Sequence, residues 1–590
     1  MPHFEPQQTG IRLSPIQVAL EALLGLKSPS FNARDQAHLL TSTLFSSDGK
    51  PTMSSALVRQ LQGLGPTIEE ICAVAGTPGL SLGVAHKGEI IYTANFGFQD
   101  VEKSIPPDSD TLYGIASITK IFTASAIINL VEQGKLEWTT PIASILPGLD
   151  MTDPYMTKHL TVMDLLTHRI GLENSNNWWY GAGGVLLLAK DQTISRFNKL
   201  RSVTPFRTAF EYTNWGYALA GEVIEKLSGQ TYGDYIHAQF VEPLGLARTT
   251  TKHQYTSQEN FAKPYAALDD GSLYKLPPPP VQDGTIMVSA QGIQSSVNDL
   301  LKFAIELMGA RRGGDSPFKN AAKQFQPHIP RGAPFLDKSY GLGLMRTQLP
   351  NTIGGGCNAQ FGKLPTIVPG SNARLVTLHG GSQAGYTSFL TMLPEIDTTL
   401  VVLTNSIGLA DPSGWVNELI IETLVESPNK VDFVELAKDA AQKHVESYGI
   451  MERKLEQERE ANTTRKALEA YTGRYVNDAG DFIVDVRKKN EDALEVLFQG
   501  LESQAWDMRH YHHDTFLWLT SRDEQAKRAR FTYSGPKIYK IIFNASEGDT
   551  IDGLYWAHDP KVPVTEQWFR KIGSTCVGTA EDSQAIFKSM

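Results

Sequence analysis

The sequence predicts an α/β (α+β) protein in two parts. A sheet flanked by helices, with an all-helical region, comes first; a small antiparallel β-barrel-like domain follows. Three observations carry this. Alternating strand patterns occur early, in GLSLGVAHKGEIIYTANFGFQD, and late, in ARLVTLHGGSQAGYTSFLTMLP and TTLVVLTNS. Mixed helices and loops lie between them, so one sheet drawn from both ends of the region is expected. From about residue 469 the pattern turns to short strands and turns, including DFIVDVRKK, ALEVLFQG, ARFTYSG and KIYKIIFNAS, which suits a barrel or sandwich.

In order, residues 1–55 form a polar extension around one apolar segment, IQVALEALLGL. Residues 56–425 form the sheet-and-helix domain, 426–468 a charged helical linker with few apparent core residues, and 469–580 the β-domain. A Lys87-Gly88 turn closes the first hairpin. PPPP at 277–280 is a stiff loop. LEVLFQG at 494–500 resembles a picornaviral protease recognition sequence, but it fits the strand alternation around it and reads as native.

The chain of 590 residues is 41% hydrophobic and 20% charged, ordinary for globular proteins. A net charge of −10 without basic runs argues against nucleic acid as a partner. Cys72, Cys357 and Cys576 are odd in number and far apart, which suits neither a disulfide framework nor a zinc site. No secretory signal and no membrane span is read, so a cytoplasmic location is expected and the sequons at Asn462 and Asn544 carry no weight.

The chemistry concentrates at Ser117-Ile118-Thr119-Lys120, which opens SITKIFTASAIINLVEQGKL. Apolar residues surround that helix, so it should be buried. A lysine in its first turn must be paired or have a depressed pKa. Ser117 and Lys120 share a face, which puts a hydroxyl beside a desolvated amine. The same spacing recurs at Ser47, Ser272, Ser316, Ser427 and Ser534, but only Ser117 begins a long apolar helix. FEYTNWGYALAG adds Tyr212 and Asn214; a phenol beside an ammonium can have its pKa lowered and act as a base. LVTLHGGSQAGY adds His379, Gly380 and Gly381 at a strand end, where glycine permits close backbone approach. Trp178, Trp179 and Tyr180, in NSNNWWYGAGG, could wall a pocket for a bulky substrate or simply pack. The run from Arg509 to Asp514 looks like a metal cluster, but adjacent strand residues face opposite ways, so a structural role is expected.

Together and in order, these motifs resemble the serine β-lactamase and penicillin-binding protein superfamily, in its class C β-lactamase-like branch of esterases, D-aminopeptidases and acyltransferases. LTVMDLLTHRIGL, FVEPLGLARTT, SYGLGL and GYTSFLTMLPEIDTTLVVLTNS also look like family segments, and the tail resembles appended lipocalin-like domains. The resemblance implies a β-lactamase-like sheet and a nucleophile at Ser117 activated by Lys120. It implies Tyr212 as general base and later acid, and Asn214 orienting Lys120 and the acyl amide. The backbone N–H groups of Ser117 and Ser382 would form the oxyanion hole. His379 and Gly380 stand where β-lactamases usually carry Lys and Thr, which favours ester, thioester or amide substrates over β-lactams. The expected activity is a serine hydrolase or acyltransferase on a small-molecule acyl substrate, without cofactor or metal, and the branch with this tail resembles fungal proteins of specialised metabolism. The alternatives are a peptidase acting on D-residues or N-terminal peptides, and a non-catalytic scaffold that keeps the fold.

Overall fold

A computed structural model describes residues 53–252, 260–332, 336–532, 534–546 and 550–572. The segment IQVALEALLGL, Ser47 and Cys576 lie outside the described residues. The chain divides into a unit at Met1–Pro66, which carries a helix over Met53–Gln62, and a unit at Thr67–Met590. The second unit holds everything that follows.

Its first part is an eight-stranded antiparallel sheet. The strands are β1 (Gly79–His86), β2 (Glu89–Gly97), β3 (Ile329–Pro330), β4 (Lys338–Tyr340), β5 (Met345–Leu349), β6 (Arg374–Gln383), β7 (Tyr386–Leu393) and β8 (Thr398–Thr404). Their order in space is β2-β1-β8-β7-β6-β5-β4-β3. The early and late strand patterns therefore meet: β1 pairs with β8 from Leu80↔Thr404 to His86↔Thr398. The β1–β2 turn places Lys87 at φ 53° and Gly88 at φ 84°, the left-handed pair that a tight hairpin needs. β7 and β8 are buried along their whole length, their threonines and serine included.

Helices cover the sheet and fill the middle of the chain. The ones used below are α1 (Thr119–Glu132), α2 (Asn214–Ser228), α3 (Val297–Ala310), α4 (Pro412–Leu424) and α5 (Phe433–Glu458). α1 is buried from Thr119 through Leu130, as its all-round apolar pattern predicts. α3 lies against β1, where Gly83 leaves room for Val297 and Leu301.

The tail is a closed eight-stranded antiparallel barrel. Its strands are β9 (Gly473–Asn477), β10 (Ile483–Lys488), β11 (Leu494–Phe498), β12 (Ala505–His512), β13 (Thr515–Leu517), β14 (Lys540–Ala545), β15 (Ile551–Trp556) and β16 (Trp568–Ile572). Aromatic side chains fill it: Phe498 stacks on Trp556 at 4.4 Å, and Tyr471, Phe516 and Phe543 form a second cluster. LEVLFQG supplies β11, with Leu494, Val496 and Phe498 buried. In the histidine-rich run the side chains take separate partners: His510 Nε2 meets the His513 carbonyl, His513 pairs with Glu460, and Asp514 accepts from Tyr471.

One expectation is corrected here. The charged segment 426–468 contains α5, and α5 is not a bare connector. Phe433, Ala437, Ala440, His444, Tyr448, Met451 and Leu455 are buried along one face. His444 Nδ1 meets the Leu409 carbonyl at 3.0 Å and its Nε2 meets Thr532 Oγ1 at 2.6 Å, so a single ring ties the sheet domain to the barrel domain. The charges that suggested a linker occupy the opposite, solvated face.

Candidate active site

The chain reaches Ser117 through a strained elbow. A two-residue strand, Tyr113–Gly114, leads to Ala116, whose φ is 45°. A non-glycine residue held there costs about 1–3 kcal/mol, a cost typical of functional turns. A short 3-10 turn over Ala116–Ile118 then enters α1. β6 lies directly against this elbow. A Cβ on Gly381 would stand 2.3 Å from the Ile115 carbonyl and 2.4 Å from Ser388 Oγ, so only glycine lets the strand come this close.

Ser117 is half-buried and Lys120, one turn on, is fully buried. Lys120 Nζ lies 3.0 Å from Ser117 Oγ, 2.8 Å from Asn214 Oδ1 and 2.9 Å from the Ala290 carbonyl. Burial pushes its pKa well below the usual lysine value. Asn214 Oδ1 and the Ala290 carbonyl only accept, so each takes an N–H from Nζ, and the third contact of Nζ is with Ser117 Oγ. A depressed pKa brings the neutral amine, with a lone pair to offer the Ser117 hydroxyl, within reach. Tyr212 OH donates to the same Oγ from 2.9 Å. Ser117 Oγ thus sits between the Lys120 amine and the Tyr212 hydroxyl.

Tyr212 corrects a second expectation. The phenol is not lowered toward a base; burial raises its pKa above 10. The ring is held by His168, tilted against it at 4.3 Å, and His168 in turn packs on Tyr217 and Tyr340. His168 Nδ1 accepts from the Thr213 N–H at 3.2 Å, which ties the ring to the N-cap of α2.

Asn214, at the first position of α2, is fixed from the loop before it. Its N–H donates to Asn174 Oδ1 at 2.8 Å and its Nδ2 donates to Asn176 Oδ1 at 3.1 Å. Trp179 Nε1 donates to the same Asn176 oxygen at 3.2 Å. Asn174, Asn176, His168 and Tyr340 were not singled out from the sequence. The only signal was the asparagine-rich NSNNWW, which reads as an ordinary loop until its partners are known.

His379 is buried on β6. Its Nδ1 donates to the Gly380 carbonyl at 2.7 Å, and its Nε2 faces Tyr340 OH at 3.1 Å. Burial takes its pKa down to about 3, so the ring is neutral across the physiological range. Gly380 faces the ring of Phe389, and Ser382 pairs with Thr387 in the β6–β7 ladder.

The aromatic loop does not stand as an open pocket wall. Trp178, Trp179 and Tyr180 are all buried. Trp178 lies 3.9 Å from the His558 ring and 4.9 Å from Phe482 of the barrel domain, with Arg196 over its other side at 4.6 Å. The barrel holds the loop by polar contacts too. Asp559 Oδ2 accepts from the Ser175 N–H at 2.8 Å, His558 Nδ1 meets Ser175 Oγ at 2.7 Å, and Gln504 bonds both the N–H and the carbonyl of Ala182. A cavity of about 210 Å³ lies on this seam; Ser117, Lys120 and Tyr212 do not line it.

An antiparallel sheet flanked by helices, with Ser117 at the entry to a buried helix that carries Lys120, beside Tyr212 and Asn214, is the architecture of the β-lactamase fold. Comparison agrees: the profile described as Beta-lactamase matches residues 56–422, and the chain belongs to that family, whose members are serine hydrolases. A domain of unknown function, DUF3471, matches residues 457–571. Penicillin-binding protein 4* of Bacillus subtilis is 26% identical over 335 residues, which are 54% of this chain and 66% of that protein, just under two thirds of its length. Two solved structures share the fold. The octameric penicillin-binding protein homologue from Pyrococcus abyssi has TM-score 0.51 and 22% identity, covering 84% of this chain and 96% of that one. The β-lactamase/D-alanine carboxypeptidase from Pseudomonas syringae has TM-score 0.50 and 19% identity, covering 64% and 100%.

Proposed function

We propose that the protein is a serine hydrolase or acyltransferase that works through an acyl-Ser117 intermediate on an ester, thioester or amide. The observation that carries this is the placement of Ser117 Oγ between a Lys120 amine at 3.0 Å and a Tyr212 hydroxyl at 2.9 Å. Lys120 is the base. As Oγ bonds the acyl carbon, its proton moves to Nζ. The backbone N–H groups of Ser117 and Ser382 receive the developing oxyanion. When the bond to the leaving group breaks, Tyr212 supplies that group with a proton, and Lys120 returns its own to the phenolate. Water, an amine or an alcohol then takes the acyl group by the reverse sequence. A substrate carried by a metabolite agrees with the resemblance to fungal specialised-metabolism proteins.

A neutral His379 gives no fixed cation for a substrate carboxylate, which favours acyl groups without one. The second reading, a peptidase acting on D-residues or N-terminal peptides, draws support from similarity to a penicillin-binding protein. Labelling with a fluorophosphonate tests the first reading against a non-catalytic scaffold. Wild-type protein should carry one adduct on Ser117, and Ser117→Ala should carry none. A wild type that stays unlabelled while control hydrolases react would establish the scaffold.

A further inference from the structure

The seam cavity between the sheet domain and the barrel has a graded lining. At its floor, Glu173, Trp178 and His558 are almost wholly buried. At its mouth, Lys199, Arg201 and Asp478 reach solvent. A volume of about 210 Å³ corresponds to about seven waters, the scale of a single amino acid rather than of a drug-sized ligand.

Its charges mostly cancel in pairs. Arg196 is bidentate to Asp481, and Arg201 pairs with Asp478. Glu173, Lys199 and the exposed Glu566 are left outside these pairs. Glu173 Oε1 accepts from the Arg201 N–H, but Oε2 is buried without a hydrogen-bond partner. His558 Nδ1 stands 3.6 Å from Oε2, too far for a hydrogen bond, and is already engaged by Ser175. Burial pushes the Glu173 carboxyl up to about 7, outweighing the opposing pull of the nearby Arg196 and Arg201. At the mouth, no carboxylate among the described residues pairs with the exposed Lys199. A deep, unmet acceptor and a free ammonium at the rim are complementary to a molecule with the opposite pair.

We propose that this cavity is a second, non-catalytic binding site for an amino-acid-sized zwitterion, whose ammonium bonds Glu173 Oε2 and whose carboxylate faces Lys199. The site is separate from the nucleophile but adjoins its support: Glu173 directly precedes Asn174, which accepts from the Asn214 N–H. The inference stands whether or not Ser117 is acylated.

The test uses the full chain and glycine, D-alanine and L-alanine as probes, with acetate as control. Calorimetry and thermal unfolding report binding, since a ligand bound to the folded state alone raises the midpoint with its concentration. The amino acids should bind and acetate should not. Glu173→Gln should weaken binding about tenfold or more, because a charge-assisted hydrogen bond is lost. Lys199→Ala, an exposed change that spares the fold, should weaken it as well. Protein labelled at Ser117 with a fluorophosphonate, or Ser117→Ala, should bind as wild type does. Absence of binding by any amino acid would overturn the proposal. So would binding equal to wild type in both cavity variants, binding of acetate as tight as that of glycine, or binding abolished by the Ser117 label.

Discussion

Replacing Lys120 by alanine is the sharpest perturbation of the site. Among the described residues the amine is the one nitrogen base against Ser117 Oγ, at 3.0 Å, and general-base catalysis contributes about 10²–10⁴ in rate. Lys120→Ala should therefore slow acylation by about that factor, about 3–5 kcal/mol of barrier. The stability effect should be smaller. The variant leaves Asn214 Oδ1 and the Ala290 carbonyl without their lysine donor, at about 1–3 kcal/mol each if no water replaces it. Against that, the cost of burying an amine disappears. The pH profile carries the sign. Lys120 has a folded pKa well below its unfolded one, so it is neutral in the folded enzyme where the unfolded chain would be charged. Acylation should rise as pH climbs through the depressed pKa and then level off, and lysine's contribution to stability should likewise grow with pH up to its unfolded value. Stopped-flow acylation by an aryl ester across pH, for wild type, Lys120→Ala and Ser117→Ala/Lys120→Ala, checks this. The two residues act as a unit, so the double variant should be no worse than about threefold below the poorer single variant. A profile that stays flat until the normal lysine range, or losses that multiply, would refute the neutral-amine account.

Four further outcomes are expected. Penicillins and cephalosporins should turn over poorly beside simple aryl esters, because His379, with its pKa at about 3, carries no charge near neutrality; cephalosporin hydrolysis matching a dedicated β-lactamase would contradict that. Asn176→Ala removes the acceptor shared by Asn214 and Trp179 and should lower the acylation rate about tenfold with little change in thermal midpoint, read by the same stopped-flow assay. Glu173, raised to about 7 in the folded protein, binds its proton more tightly there than when unfolded, so it should cost stability as pH rises from about 4.5 to 7 and above; urea titrations of Glu173→Gln should show this pH dependence reduced by up to about 3 kcal/mol. A chain ending near residue 430 should be markedly destabilised or aggregate, since it bares the surfaces that α5 and Trp178 now cover; a soluble, cooperative truncation would count against the packing described.

Local pattern made the Ser117–Lys120 pair legible. A lysine in the first turn of an all-apolar helix has few physical solutions, and Ser117 stands one turn before it. The strand alternation gave both the shared sheet and the barrel. Two things escaped because they depend on distant partners. The spacing of Phe433, Ala437, Ala440, His444, Tyr448, Met451 and Leu455 is a regular three-four repeat, so the signal for a buried face was present in α5. Its alanines and histidine are weakly apolar, and the surrounding charges dominated the reading. The loop of Asn174 and Asn176 offered no such periodicity. Its role follows from Asn214 on one side and from Ser175 against His558 and Asp559 on the other, pairings of up to 384 residues in sequence separation. The rise of the Tyr212 pKa was likewise hidden, because it follows from burial in the folded chain.

Mass spectrometry of the intact protein after exposure to a panel of activated acyl donors tests the central claim most directly. The account predicts a single acyl increment on wild-type protein, mapped to the peptide that carries Ser117 and absent from Ser117→Ala. An increment that persists in Ser117→Ala, or none with any donor while control hydrolases acylate, would contradict it.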